Sequence, residues 1–265
     1  LSKKATPRMI KAIFFDIDGT LVPFGTGHIP AEVTQAIARM RDAGVKVFIS
    51  TGRHIDWVDN LGDTEFDGYV TVNGAMCLLS DKTTCIYKKC IAPSDISRLV
   101  PFAQSHTMPI VVVPAQEEIF ITAIDDSVLT VRDMLHIKPI PVKPITAAPA
   151  DDTVQLMAFA PMQERTDSGL FSHVLTHCIP TSWNPYFCDI CPQGSDKAVG
   201  MERMAAYFGI SMDETMAFGD GDNDISMIEA AGVGVAMGNA APEVQAKADF
   251  VTTAVDDHGV LNALR

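Results

Sequence analysis

The chain is short of positive charge. It carries 20 Lys and Arg against 33 Asp and Glu over 265 residues, a formal net charge of −13, so it offers no basic stripe to a nucleic acid or to an anionic membrane. Long apolar runs are missing too. None approaches the roughly 20 residues of a membrane span, and the N-terminus lacks the apolar core of a secretion signal. A cytoplasmic protein is the default expectation, with LSKKATPR read as a basic leader ahead of Met9. Cysteine supplies no framework either. Cys77, Cys85, Cys90, Cys178, Cys188 and Cys191 all fall in mid-chain, and the CxxC of Cys188 and Cys191 has no second pair at zinc-ribbon spacing, so reduced, partly buried thiols are expected. His173 and His177 are four apart but lack a nearby acidic partner, and no metal site is expected there.

What is present is 47% hydrophobic residues and enough length to bury two moderate cores. Ala12, Ile13, Phe14 and Phe15 run without a polar break into Asp16, which predicts a strand buried on both faces. Asp16 and Asp18 are two apart, so both carboxylates can face one crevice at the strand's mouth. Gly19 supplies the turn and Thr20 holds it by a local hydrogen bond. Two carboxylates this close need a shared proton or a cation. A second apolar strand, Val45 to Ile49, ends on Ser50-Thr51-Gly52-Arg53, where hydroxyl and backbone N–H groups suit a phosphate. Further on, Lys197 falls in the first turn of a predicted helix. A cation is badly placed there for the helix dipole unless it faces a bound anion. Thr215 to Phe218 is another short strand, running into Gly219-Asp220-Gly221-Asp222-Asn223-Asp224; these aspartates again call for a cation, and the EF-hand pattern with its closing Glu is absent. An all-oxygen donor set favours a hard divalent ion, Mg²⁺.

Strand and helix alternate at both ends of the chain, which predicts a parallel sheet. Between Leu79 and Cys188 lie about 110 residues, too many for one connection, so an inserted domain is expected. Its pattern predicts an α+β layer with helices on one face of an open sheet. The expected elements include strands over Cys85–Cys90 and Trp183–Ile190 and a helix over Ser168–His177; Phe102, Phe120, Phe159 and Phe171 form the core. A short helix is predicted over Ile55–Leu61.

The stretch Asp16-Ile17-Asp18-Gly19-Thr20 resembles the first motif of the haloacid dehalogenase (HAD) superfamily of phosphotransferases. Thr51 resembles its second motif, Gly194-Ser195-Asp196-Lys197 its third, and Gly219-Asp220 with Asn223-Asp224 its fourth. The arrangement looks most like the Cof-like sugar-phosphatase branch. The resemblance implies a Rossmann-like α/β core over residues 9–79 and 190–265 and an inserted α+β cap domain over 80–189. It implies a Mg²⁺-dependent phosphatase acting on small phosphoesters, hexose phosphates first. Asp16 would be the nucleophile, forming an aspartyl-phosphate, and Asp18 the acid and base. The Asp16 carboxylate, the Asp18 backbone carbonyl and Asp220 would hold the ion, with Asp224 serving it through a water. Thr51, the Gly52 and Ile17 backbone N–H groups, Lys197 and Asn223 would donate to the phosphoryl oxygens. The cap would close over the site and limit substrates to small molecules, with Trp183, Asn184 and Tyr186 as candidates for selecting them. Arg53 either orients the turn or touches substrate. A phosphomutase or a non-catalytic phosphometabolite-binding protein are the alternatives, and no protein partner is indicated.

Overall fold

The computed structural model describes residues 9–23, 27–135, 138–181 and 185–264; the leader expected over 1–8 lies outside the described residues. β1 (Ala12–Phe15) is buried along its whole length, as an apolar run with no polar side to turn outward must be. α1 (Ala31–Asp42) follows Pro30 with Val33, Ala36 and Ile37 inward, and Gly44 at φ +87° turns the chain out of it. β2 (Lys46–Ser50) comes next. The helix expected over Ile55–Leu61 is a single 3-10 turn, Ile55–Trp57. The chain leaves helical geometry at Val58, and Gly62 turns it again at φ +57°. β3 (Gly68–Thr71), β4 (Met76–Leu79) and β5 (Cys85–Lys88) complete the first half.

The middle of the chain holds α2 (Pro93–Ser105), β6 (Ile110–Pro114), β7 (Phe120–Ile121), α3 (Asp126–Leu135), β8 (Thr153–Phe159), α4 (Met162–Asp167), β9 (Cys178–Thr181) and β10 (Phe187–Pro192). The return brings α5 (Lys197–Tyr207), β11 (Thr215–Gly219), α6 (Ile225–Ala230), β12 (Val233–Ala236), α7 (Pro242–Gln245), β13 (Phe250–Val251) and α8 (Gly259–Ala263).

The chain divides into two compact units. One runs through Tyr87 and resumes at Asp196; the other is Lys88–Ser195. These boundaries sit later than the expected 79/80 and 189/190. The reason is that β4 and β5 extend the first unit's sheet, whose strand order is β13-β12-β11-β1-β2-β3-β4-β5. β5, in all but its last residue Lys88, therefore belongs to the Rossmann-like α/β unit and not to the insertion. β1 pairs in parallel with β2 on one side and β11 on the other, and the register sets Phe15 beside Ile49 and Phe218. All three strands thus release their chains at one level, which fixes where Asp16, Thr51 and Asp220 emerge. α5 and α6 pack Met201, Met204 and Met227 against Phe14, Phe48 and Val70. Phe14 and Phe48 stack with centroids 4.8 Å apart. Truncating either to Ala removes about 3–5 kcal/mol.

In the second unit five strands lie in the order β7-β6-β8-β10-β9. Ile96, Leu99 and Phe102 of α2, with Leu170 and Val174, cover the face formed by Ile110, Val112, Leu156, Ala158, Cys188 and Ile190. Phe120 joins that core and Phe171 packs against it, whereas Phe159 takes the other face and stacks on Phe187. The helix expected over Ser168–His177 is replaced by α4 and one wide turn, Leu170–Val174, because Gly169 at φ +76° separates them. The strand expected from Trp183 starts at Phe187 and pairs with β9. Of the candidates there, Trp183 and Asn184 lie outside the described residues, and Tyr186 is exposed. The described cysteines form no disulfide; Cys188 and Cys191 are buried in β10. No helix among the described residues is long and apolar enough to cross a membrane.

Candidate active site

Asp16 follows β1 directly, its N–H bonded to the Phe218 carbonyl at 3.0 Å. The next loop is closed by three N–H groups, of Thr20, Leu21 and Val22, on the Ile17 carbonyl, with Gly19 at φ +82° making the turn. On the neighbouring strand, the loop after β11 is folded around Asp224. Its Oδ2 accepts from the Asp220 and Gly221 N–H groups at 3.0 and 2.9 Å. Gly219 has to be glycine, because a Cβ there would lie 2.3 Å from the Asp224 Cβ.

Lys197 joins the two strand ends. Its Nζ donates to Asp16 Oδ1 and to Asp224 Oδ1, both at 2.6 Å, and the lysine side chain is fully buried. The sequence's misplaced cation is therefore matched by two carboxylates. Asp196, the residue that departs from a plain glycine-serine-lysine turn, caps α5 by accepting from the Val199 N–H at 2.9 Å. Burial alone would lower the lysine's pKa, but Asp16 and Asp224 outweigh it and push it up, so the ammonium is kept. Burial pushes the Asp16 carboxyl well above its usual range; Asp224 adds to this and Lys197 opposes it. Burial, then Asp224, raises Asp220 to about 6.

Carboxylate oxygens of Asp16, Asp220 and Asp224 lie within 4.8 Å of one another. Three carboxylates face a single ammonium, so all three can ionise in this largely buried place only with further positive charge beside them. Hard oxygen donors with unmet charge fit a divalent cation. The Asp18 carboxylate does not join them. It points to Arg53, whose Nε and Nη2 reach both of its oxygens.

Thr51 is buried; its Oγ1 accepts from the Arg53 N–H at 3.1 Å, which leaves the hydroxyl proton to donate. Gly52 packs against the Asn73 side chain, where a Cβ would come within 3.1 Å. Asn223 Nδ2 donates to Asn73 Oδ1 at 2.9 Å. The structure thus brings Asp16, Lys197, Asp220 and Asp224 into direct contact or close range, sets Ile17 beside them, and links Asn223 to the Thr51-Gly52 loop through Asn73.

Three residues escaped the sequence reading. Thr20 holds the turn through its N–H on the Ile17 carbonyl, while its hydroxyl, a contact the sequence does not show, donates to Asp220 Oδ1 at 3.0 Å. Asn239 donates Nδ2 to Asp220 Oδ2 at 3.2 Å and to the Gly19 carbonyl at 2.9 Å, and accepts from the Val255 N–H. Asn73 is the third. Ligands of parallel sheets collect beyond the carboxyl ends of strands, and both Asn239, after β12, and Asn73, after β3, obey that rule.

A buried lysine between two aspartates, with a third aspartate on the same strand ends of a parallel sheet, is the constellation of a phosphoryl-transfer enzyme. The comparisons agree. The family described as haloacid dehalogenase-like hydrolase matches residues 13–264. The chain is 31% identical over 264 residues to YkrA of Bacillus subtilis (strain 168), covering 96% of each. Among solved structures it is similar to the HAD subclass IIB sugar phosphatase BT4131, with TM-score 0.85, 35% identity and coverage of 96% of this chain and 97% of that one. It is also similar to the HAD phosphatase BT1666 from Bacteroides thetaiotaomicron, with TM-score 0.87, 32% identity and coverage of 99% and 98%. The chain belongs to the haloacid dehalogenase superfamily, in its Cof-like branch. It is a hydrolase of phosphoric monoesters.

Proposed function

We propose that the protein hydrolyses small phosphoesters, sugar phosphates above all, in two steps through Asp16. The observation that carries this reading is Lys197 holding Asp16 Oδ1, which leaves Oδ2 as the attacking oxygen. In the first step an Asp16 oxygen bonds to phosphorus while the bond from phosphorus to the leaving oxygen breaks, and Asp18 gives that oxygen its proton. In the second step a water oxygen attacks phosphorus, Asp18 takes the water's proton, and the bond to Asp16 breaks to release inorganic phosphate. The Thr51 hydroxyl, the Ile17 and Gly52 N–H groups, Lys197 and Asn223 donate to the phosphoryl oxygens as their charge spreads. Mg²⁺, held by Asp16, the Asp18 carbonyl and Asp220 with Asp224 beside it, would supply further positive charge to the phosphoryl group. Sugar phosphates are favoured because the relative BT4131 is named a sugar phosphatase.

The test is inorganic phosphate release from a panel of sugar phosphates and other small phosphoesters, with Mg²⁺ and with chelator, for the wild type and Asp16→Asn. Release that needs the ion and disappears in the variant supports the reading, and the best substrate names the class. A folded, Mg²⁺-supplied protein that releases phosphate from none of them sinks it.

A further inference from the structure

Asn73 sits in the middle of a left-handed turn whose unusual member is Val72. Val72, Asn73 and Gly74 have φ of 54°, 49° and 83°, three successive left-handed residues, and the first is β-branched. Such a turn persists only where its surroundings hold it. Here the Val72 N–H bonds to the Arg53 carbonyl and the Asn73 N–H to the Thr51 carbonyl, each at 3.1 Å, so the turn is fastened to the Thr51-Gly52-Arg53 loop. On its other side Gly74 lies against the Asp196 carbonyl at the start of α5. The strained turn delivers one side chain, the Asn73 amide, which is buried between Gly52 and Asn223.

An asparagine amide has a donor edge and an acceptor edge of nearly identical shape. Only the donor edge of Asn223 can serve a phosphoryl oxygen; the flipped amide would set oxygen against oxygen. We propose that Asn73 is a positioning residue for the phosphoryl group, its Oδ1 accepting one Asn223 Nδ2 hydrogen so that the second faces the anion. The held orientation makes the site a trap for an anion and not for a hydrogen-bond donor. It also joins two phosphoryl-binding segments, the Thr51-Gly52 loop and the loop after β11, through one side chain. The inference rests on the assignment of Asn223 to the phosphoryl group.

Asn73→Gly separates the side chain from the backbone, because glycine takes a left-handed φ without strain. The experiment is a double-mutant cycle of Asn73→Gly and Asn223→Ala, read as p-nitrophenyl phosphate turnover, inhibition by inorganic phosphate, and melting temperature. Asn73→Gly alone is expected to lower kcat/KM by about 10- to 100-fold, the usual effect of losing a side chain that orients a ligand-binding group, and to weaken phosphate inhibition, with no loss of melting temperature. In the Asn223→Ala background it is expected to change kcat/KM by less than about twofold. Wild-type turnover in Asn73→Gly overturns the proposal, as does a loss that adds in full to that of Asn223→Ala, which is the mark of a merely structural role. Wild-type turnover in Asn223→Ala would instead remove the assignment of Asn223, and the proposal with it.

Discussion

Arg53 grips both carboxylate oxygens of Asp18, Nε on Oδ2 at 2.8 Å and Nη2 on Oδ1 at 2.7 Å, while Nη1 donates to the Trp57 carbonyl. A planar fork of this kind fixes the plane of the carboxylate as well as its position. Arg53, expected either to orient the turn or to touch substrate, holds the Asp18 carboxylate in this arrangement. Lysine keeps the charge and loses the fork. Arg53→Lys is expected to lower kcat about tenfold with KM little changed, and to move stability by less than about 1 kcal/mol because the pair is more than a third exposed. Steady-state kinetics and urea denaturation check both halves.

Asn239 fixes Asp220 from the outside. One amide hydrogen goes to the carboxylate and the other to the Gly19 carbonyl, while its oxygen is anchored by the Val255 N–H. Groups that orient an ion-binding carboxylate are worth about 10- to 100-fold in affinity or activity. Asn239→Ala is expected to raise the Mg²⁺ concentration giving half-maximal activity by such a factor while saturating Mg²⁺ restores most of the rate. An unchanged Mg²⁺ titration would show that Thr20 alone suffices to hold Asp220.

The second unit has its own buried charge. Asp95 of α2 is fully buried and accepts from the His177 N–H at 2.8 Å, from His177 Nδ1, from the Cys178 thiol and from Arg98. Burial alone would raise its pKa, but the His177 and Cys178 hydrogen bonds and the Arg98 charge prevail and hold it below the ordinary value of 3.8. The carboxylate's stabilisation is then fully present above that value and is lost as pH falls through the lower folded one. Asp95→Ala is expected to cost about 1–3 kcal/mol at neutral pH, because the His177 N–H loses its buried acceptor, whereas Arg98 is part-exposed and keeps the Val174 carbonyl. The gap between wild type and Asp95→Asn should be flat above about pH 5 and narrow below 4. Urea denaturation across that range measures it.

The sequence announced the acidic strand ends because each joins an apolar run to a carboxylate within one residue or two. Asp16 and Asp220 read that way, Asp224 reads through its clustering with Asp220 and Asp222, and Lys197 stands out by being wrong for an isolated helix. The groups that orient them were not legible. Thr20 reaches Asp220 across 200 positions, and Asn223 reaches Asn73 across 150; such pairs leave no periodicity in a single chain. Local patterns misled where glycine intervened. Gly169 splits a helix that the apolar spacing carries through, and the sequence places β5 in the insertion because it shows distance along the chain and not sheet order.

Gly74 ties the strained turn to the lysine helix. It sits at φ +83°, and a Cβ there would fall 1.8 Å from the Asp196 carbonyl oxygen, inside any van der Waals limit. Asp196 caps α5, and Lys197 is that helix's first residue, so relief of the clash must move the lysine away from Asp16 and Asp224. Gly62 provides the control, since its φ is +57° but nothing lies within 4 Å of its Cβ position. Gly62→Ala should show the cost of left-handed alanine alone, about 1–2 kcal/mol, with turnover per folded molecule unchanged. Gly74→Ala should cost more than about 3 kcal/mol and also lose at least about 100-fold in kcat at temperatures where the protein is still folded. Melting curves paired with turnover of the folded fraction separate the two variants. Equal behaviour would mean that α5 can shift without disturbing Lys197.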